Sequence, residues 1–259
     1  LNITTEKETM KKKYLPFIKS KKILNIDNNA KTVKGQKQGY KTAIFYAAPA
    51  DESGFNVCPM ASEGCKKACL YTAGHGAFSN VKEGRINKTR WLIQEPETFL
   101  KQFFNEIKNF IINCEKGGFI PCLRPNGTSD IAWEHKRHEG KTIFETFPNL
   151  IIYDYTKVYK RQLKFINGQM PKNYHLTFSL DEDNHKEAFK VLKAGGNIAA
   201  VFRKFLPETF KGFNVINADE NDLRFLNKVK NKVSGLICGL VAKGKAKTDF
   251  SGFVLDAQQ

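Results

Sequence analysis

NYHLTFSLDEDNHKEAFKVLKAGGNIAAVFR (173–203) reads as strand, helix, strand. NYHLTFS and NIAAVFR are short apolar runs of strand length. Between them, the acidic DEDN suits the positive end of a helix dipole, and Gly195–Gly196 supplies the stop. A strand followed by a helix and another strand is the repeating unit of a parallel α/β sheet.

The same alternation extends in both directions. Strands are expected at 42–48 (TAIFYAA), 119–125 (FIPCLRP), 149–156 (NLIIYDYT), 213–219 (FNVINAD) and 236–242 (LICGLVA), with SGFVLDA adding a short edge strand. One long helix is expected within 84–118, where Leu100, Phe103, Phe104, Ile107 and Ile111 recur at helical steps before Gly117–Gly118. Further helical segments are expected around 138–147 and at NDLRFLNK. The apolar runs are continuous rather than alternating, as in strands covered on both faces. Seven such strands favour a complete or partial (β/α) barrel with mostly parallel strands over a doubly wound sheet. No Gly-rich phosphate loop follows the first strand, which weakens the dinucleotide-binding alternative. The expected organisation is a basic, partly irregular lead-in over 1–38 and one α/β domain over 39–259.

Composition narrows the class. The chain has 259 residues, is 41% hydrophobic and carries 42 Lys plus Arg against 26 acids, a net charge of +16. That apolar content supports a sizeable core. The excess charge points to a polyanion, with nucleic acid or a nucleotide first. A Lys-rich proteome would give the same totals. No run approaches the length of a membrane span, and the N-terminal stretch has no signal-peptide pattern. Six cysteines without a disulfide-scaffold spacing suit a reducing cytoplasm. Cys114, Cys122 and Cys238 sit in or beside apolar runs and read as buried thiols.

The remaining three are different. NVCPMASEGCKKACLYTAGHG (56–76) has the spacing Cys-x6-Cys-x3-Cys, with His75 six positions after Cys69. Cys65 and Cys69 share one side of a helical turn, and Cys58 approaches from a loop shaped by Pro59 and Gly64. Three thiolates converge only if a cation offsets their repulsion. Two groups fit: zinc on Cys58, Cys65, Cys69 and His75, or a four-iron cluster on the three cysteines with one iron left open. The segment follows the first expected strand, which in α/β barrels is the end that holds the active site.

A three-cysteine loop in that place resembles the radical S-adenosylmethionine architecture, which implies S-adenosylmethionine as co-substrate if the site holds iron and sulfur. That family uses Cys-x3-Cys-x2-Cys with an aromatic residue before the last cysteine, whereas this chain has x6, x3 and Ala68. A second resemblance covers roughly residues 40–255. CPMASEGCKKACLYTAGHG, RPNGTSDIAWE, YDYTK, YHLTFS and VAKGKAKTDFSGFVL together are similar to the phage family named after the gene 88 product of a mycobacteriophage. It implies a phage or mobile-element protein in the host cytoplasm and supplies no catalytic residues.

Polar residues at strand ends complete the expected rim. Asp130, Asp154, Lys157 and Glu134 are the candidates for proton transfer. Arg124, Asn126, Thr177, Arg203, Lys243, Lys245 and Lys247 are the candidates for holding substrate; the last three lie in AKGKAKTD, whose small residues let a phosphate approach. The leading expectation is a metal- or iron–sulfur-dependent enzyme acting on nucleic acid or a nucleotide. A zinc-containing base-exchange enzyme of transglycosylase type is one rival. A non-catalytic nucleic-acid-binding protein with structural zinc is the other.

Overall fold

A computed structural model describes residues 14–27, 29–69, 71, 74–227 and 234–257. Among these residues lie ten strands and seven α-helices. The expected parallel core is present: β2 (Tyr40–Phe45), β3 (Ile120–Arg124), β4 (Ile151–Thr156), β5 (Tyr174–Ser179), β6 (Ile198–Phe202), β8 (Phe213–Asn217) and β9 (Ile237–Val241). Strands β2 to β6 pair in chain order, all parallel, and β9 follows β6. No switch point interrupts that run. Right-handed crossovers therefore put the connecting helices on one face.

That face is the core. Helices α3 (Ser79–Gln94) and α4 (Pro96–Lys116) bring Trp91, Phe99, Phe103 and Ile107 onto Phe45, Leu123, Ile152 and Leu176. Helices α6 (Tyr159–Ile166) and α7 (His185–Lys193) cover β5 and β6. The single helix expected within 84–118 is two helices. Pro96 lacks an amide hydrogen and disfavours helical geometry at Glu95, which adopts φ −130° and ψ 61°. The helical segment expected around 138–147 is a single turn, α5 (Ile143–Thr146), closed by a Thr142/Glu145 capping box.

The sheet does not close, so the complete barrel is corrected to an open sheet. Short strands occupy both edges: β1 (Leu24–Ile26) lies antiparallel on β2, and β7 (Thr209–Phe210) lies antiparallel on β8, which itself sits outside β9. Part of the lead-in thus joins the sheet through β1 and the following α1 (Ala30–Gln36). Residues 1–13 of that lead-in fall outside the described residues. The expected edge strand near the end, β10 (Val254–Leu255), instead lies along β6, beyond the point where β5 leaves it. Helix α2 (Glu63–Lys67) sits in the loop after β2. Among the described residues, no helix is long and apolar enough to cross a membrane.

Side chains span the gap that hydrogen-bonded strands leave open. Lys31 of α1 pairs with Asp219, just past β8, at 2.8 Å, and Lys243 reaches the same carboxylate at 2.7 Å. Burial would raise the Asp219 carboxyl, but bonds from Lys243, Lys31 and the Val241 amide hold it at about 2. A depressed folded pKa adds stability above the ordinary carboxylate value of about 4. That stability fades as pH falls from there towards 2. Asp219→Asn should cost about 1 kcal/mol at pH 7, a modest figure because the group is part-exposed. Urea unfolding at pH 7 and pH 2 should show the deficit at the first and not at the second.

Candidate functional site

The parallel run places the C-terminal ends of β2 to β6 and β9 at one end of the sheet. The cysteine segment lies across that end. It leaves β2 through Ala48, whose amide donates to Thr89 Oγ1 of α3 at 2.8 Å. The Asp130 amide, after β3, donates to the Val57 carbonyl at 2.8 Å, and Thr128 Oγ1 donates to the Ala47 carbonyl at 2.6 Å. Farther on, Glu182 after β5 grips α2. Its carboxylate accepts from the Gly64 amide at 2.6 Å and from Ser62 Oγ at 2.8 Å. Ser62 also caps α2 by accepting from the Cys65 amide.

Gly64 is required there. A Cβ on it would collide with Ser251 Oγ and come within 2.6 Å of Glu182 Oε1. Gly64→Ala should therefore push the carboxylate off α2. Loss of charge-assisted bonds on this scale, about 1–3 kcal/mol, should loosen the segment without unfolding the sheet. Limited proteolysis should cut within 50–78 about tenfold faster than in the parent.

Cys58, Cys65 and Cys69 are all part-buried and free of disulfides. Cys58 Sγ accepts from the Ala50 amide at 3.3 Å and donates to the Thr128 carbonyl at 3.7 Å. Burial pushes its thiol up to about 12, and the nearby Cys69 and Cys65 push the same way. Burial likewise takes Cys65 to about 11, with Lys157 opposing and Cys69 adding. Cys69 is raised by burial while Arg85 and Lys157 pull it down. The three sulfurs thus share one electrostatic neighbourhood. Alone they are protonated; a bound cation would reverse that. The donor set suits a group that takes up three thiolates. Among the described residues, no group of three His, Cys, Asp or Glu side chains is arranged to hold a metal ion. His75 is exposed and stacks on Phe78 at 5.7 Å.

Lys157 lies beneath this segment. Its Nζ pairs with Asp181 at 3.1 Å and donates to Ser179 Oγ at 3.2 Å. Asp130 accepts from the Lys157 amide at 2.8 Å and pairs with Arg161 at 2.5 Å. Burial raises its carboxyl, with Arg161 opposing. The same Arg161 forks onto Glu134 at 2.7 and 2.9 Å and donates to the Tyr174 hydroxyl at 2.9 Å. Asp154 stands apart from the rim. Strand parity turns it to the helix side, where it is 0% exposed. It accepts from the Asn126 amide and side chain and from the Tyr174 hydroxyl, all at 2.9 to 3.0 Å. Burial lifts its carboxyl to about 7, against Arg124, Arg161 and Asn126. Asp154 therefore fixes the loop after β3 through Asn126.

The other expected substrate contacts divide. Arg124 and Thr177 lie on the inner face, opposite the helices. Arg124 pairs with Asp222 at 2.8 Å and lies over the Tyr155 ring at 4.8 Å. Thr177 is buried on the same face of β5. Arg203 is tied to Asp256 at 2.7 Å, and Lys245 and Lys247 are exposed on the turn Gly244–Thr248. Sequence reasoning missed Arg161, Glu182 and Arg85, and the pairing of Arg124 with Asp222. Each acts across a long separation; Arg124 and Asp222 are 98 positions apart, so no local spacing announces them.

No curated protein and no solved structure matches the chain. A family match does exist over residues 20–257, and it spans the cysteine segment, the rim and the whole described sheet. The chain belongs to the Gene product 88 family.

Proposed function

We propose that this phage-family protein is an iron–sulfur-dependent enzyme that modifies nucleic acid or a nucleotide in the host cytoplasm. One observation carries the reading: three coupled, part-buried cysteines lie across the C-terminal ends of a parallel sheet, beside Lys157. In parallel α/β proteins that end is where chemistry is housed. The chain-order pairing of β2 to β6 and β9 supports a partial (β/α) barrel.

A polynuclear cluster takes its thiolate ligands around its outside. A single zinc would draw all of them within about 2.3 Å of one centre. A four-iron cluster on three thiolates leaves one iron open, and S-adenosylmethionine is a co-substrate that such a site accepts. Lys157, an electrostatic neighbour of Cys65 and Cys69, is assigned the proton handling. Asp130, Glu134 and Asp154 serve as positioning residues, through Arg161 and Asn126. Net charge of +16 supports the polyanionic substrate.

The test compares nucleosides from digested DNA and RNA of cells expressing the protein or its Cys65→Ala variant. A nucleoside of altered mass should appear with the first and be absent with the second. Identical nucleosides in both, from cells containing metal-loaded protein, would overturn the nucleic-acid part of the reading.

A further inference from the structure

Among the described residues, five buried side-chain polar atoms have no hydrogen-bond partner, and four are guanidinium nitrogens. They are Arg85 Nη1, Arg124 Nε, and Arg224 Nε and Nη1. Guanidinium groups are costly to leave unpaired when buried. Such a concentration of donors points to a missing acceptor.

The three arginines form a row with tyrosines between them. Arg85 lies over the Tyr46 ring at 4.7 Å and the Tyr71 ring at 5.5 Å. Tyr46 is an electrostatic neighbour of both Arg85 and Arg124. Arg124 lies over Tyr155, and Tyr155 in turn neighbours Arg224. Tyr46 follows β2 with the parity of Thr42 and Ile44, so the row runs from the rim onto the inner face. Its outer end is the open one: Arg85 is only part-buried, and Lys82, one turn earlier on α3, lies over Tyr71 at 5.3 Å.

Charge is unbalanced along this row. Asp222 is the carboxylate paired to it, through Arg124. Glu52 acts on Tyr71 and Cys69, yet neither Arg85 nor Lys82 forms a salt bridge among the described residues. Burial holds the Tyr155 phenol neutral, so it supplies no counter-charge. Three guanidinium groups against one carboxylate leave two positive charges. A phosphate monoester, at roughly −1.5 to −2, matches that better than a carboxylate. Guanidinium forks and tyrosine faces are also what bind phosphates and stack on bases.

We propose that Arg85, backed by Tyr46 and Tyr71, seats the phosphate of a nucleotide beside the cysteine cluster, with Arg124 continuing the path inward. The site deepens the reading above and rests on it for the identity of the reactive end: Arg85 is an electrostatic neighbour of Cys69.

The test is calorimetric titration of the full chain with the four ribonucleoside 5′-monophosphates, their parent nucleosides and inorganic phosphate, with iron measured in every sample. At least one monophosphate should bind at least about tenfold tighter than its nucleoside. Arg85→Gln should remove that advantage, and Arg85→Lys should restore part of it. Lys116→Ala, at the far end of the sheet, controls for bulk charge and should change affinity less than about twofold. Equal binding of nucleotide and nucleoside by the parent protein would overturn the site without relying on any variant. So would an Arg85→Gln loss no larger than that of Lys116→Ala. Phosphate-dependent binding by iron-free protein would keep this site and sink the cluster; iron-loaded protein indifferent to phosphate would do the reverse.

Discussion

Arg161→Ala is expected to cost the fold about 3–5 kcal/mol, much of a typical domain's total stability. Arg161 is shared by Asp130 and Glu134, and it also donates to Tyr174 and Thr156. All of these groups are largely removed from water. Truncation would leave two carboxylates facing each other without a counter-ion. It would also free Tyr174, which helps hold Asp154 and, through it, the loop after β3. Urea unfolding monitored by far-UV circular dichroism measures the loss. Neutralising the abandoned acids in Arg161→Met/Asp130→Asn/Glu134→Gln should recover most of it, because the cost lies in unpaired buried charge. A loss under about 1 kcal/mol for Arg161→Ala would mean that water reaches the triad.

The second large effect separates two classes of cysteine. Cys58→Ala, Cys65→Ala and Cys69→Ala should each abolish stable metal loading, since a site built from three protein thiolates fails when one is missing. Cys114, Cys122 and Cys238 are buried in or behind the sheet. Their alanine variants should keep the metal and lose about 1–2 kcal/mol of packing. Metal content per chain, with melting midpoints alongside, distinguishes the two sets. Equal retention of metal across all six variants would contradict the assignment.

Much of the fold was legible in the sequence because its strands are continuous apolar runs broken by helices. All seven expected strands occur; the first five pair in chain order, as the strand–helix alternation implies, whereas β9 inserts between β6 and β8. The failures have physical causes. β1 and β7, with three and two residues, are too short to carry a pattern. Those same strands form the two sheet edges, so closure could not be read locally. Pro96 was visible and should have split the long helix, since a proline within a helical pattern disfavours helical geometry at the residue before it.

The site was legible in part. Proline, glycine and spacing marked the cysteine segment, and its position after the first parallel strand set it at the C-terminal end of the sheet. Asp154 was misplaced on the rim because parity, not distance from a strand end, decides which way a side chain points. Arg161 and Arg85 could not be identified from spacing. Their roles arise from partners brought together by the fold: Arg161 joins acids from the loop after β3, and Arg85 meets Tyr46 after β2.

The most direct test of the central claim is iron and acid-labile sulfide analysis of the full chain purified without oxygen, with its visible absorption recorded before and after reduction. About four of each per chain are expected, with a brown absorption that bleaches on reduction. Zinc alone at one per chain would replace the cluster by a single ion. Folded protein holding neither metal would contradict the account.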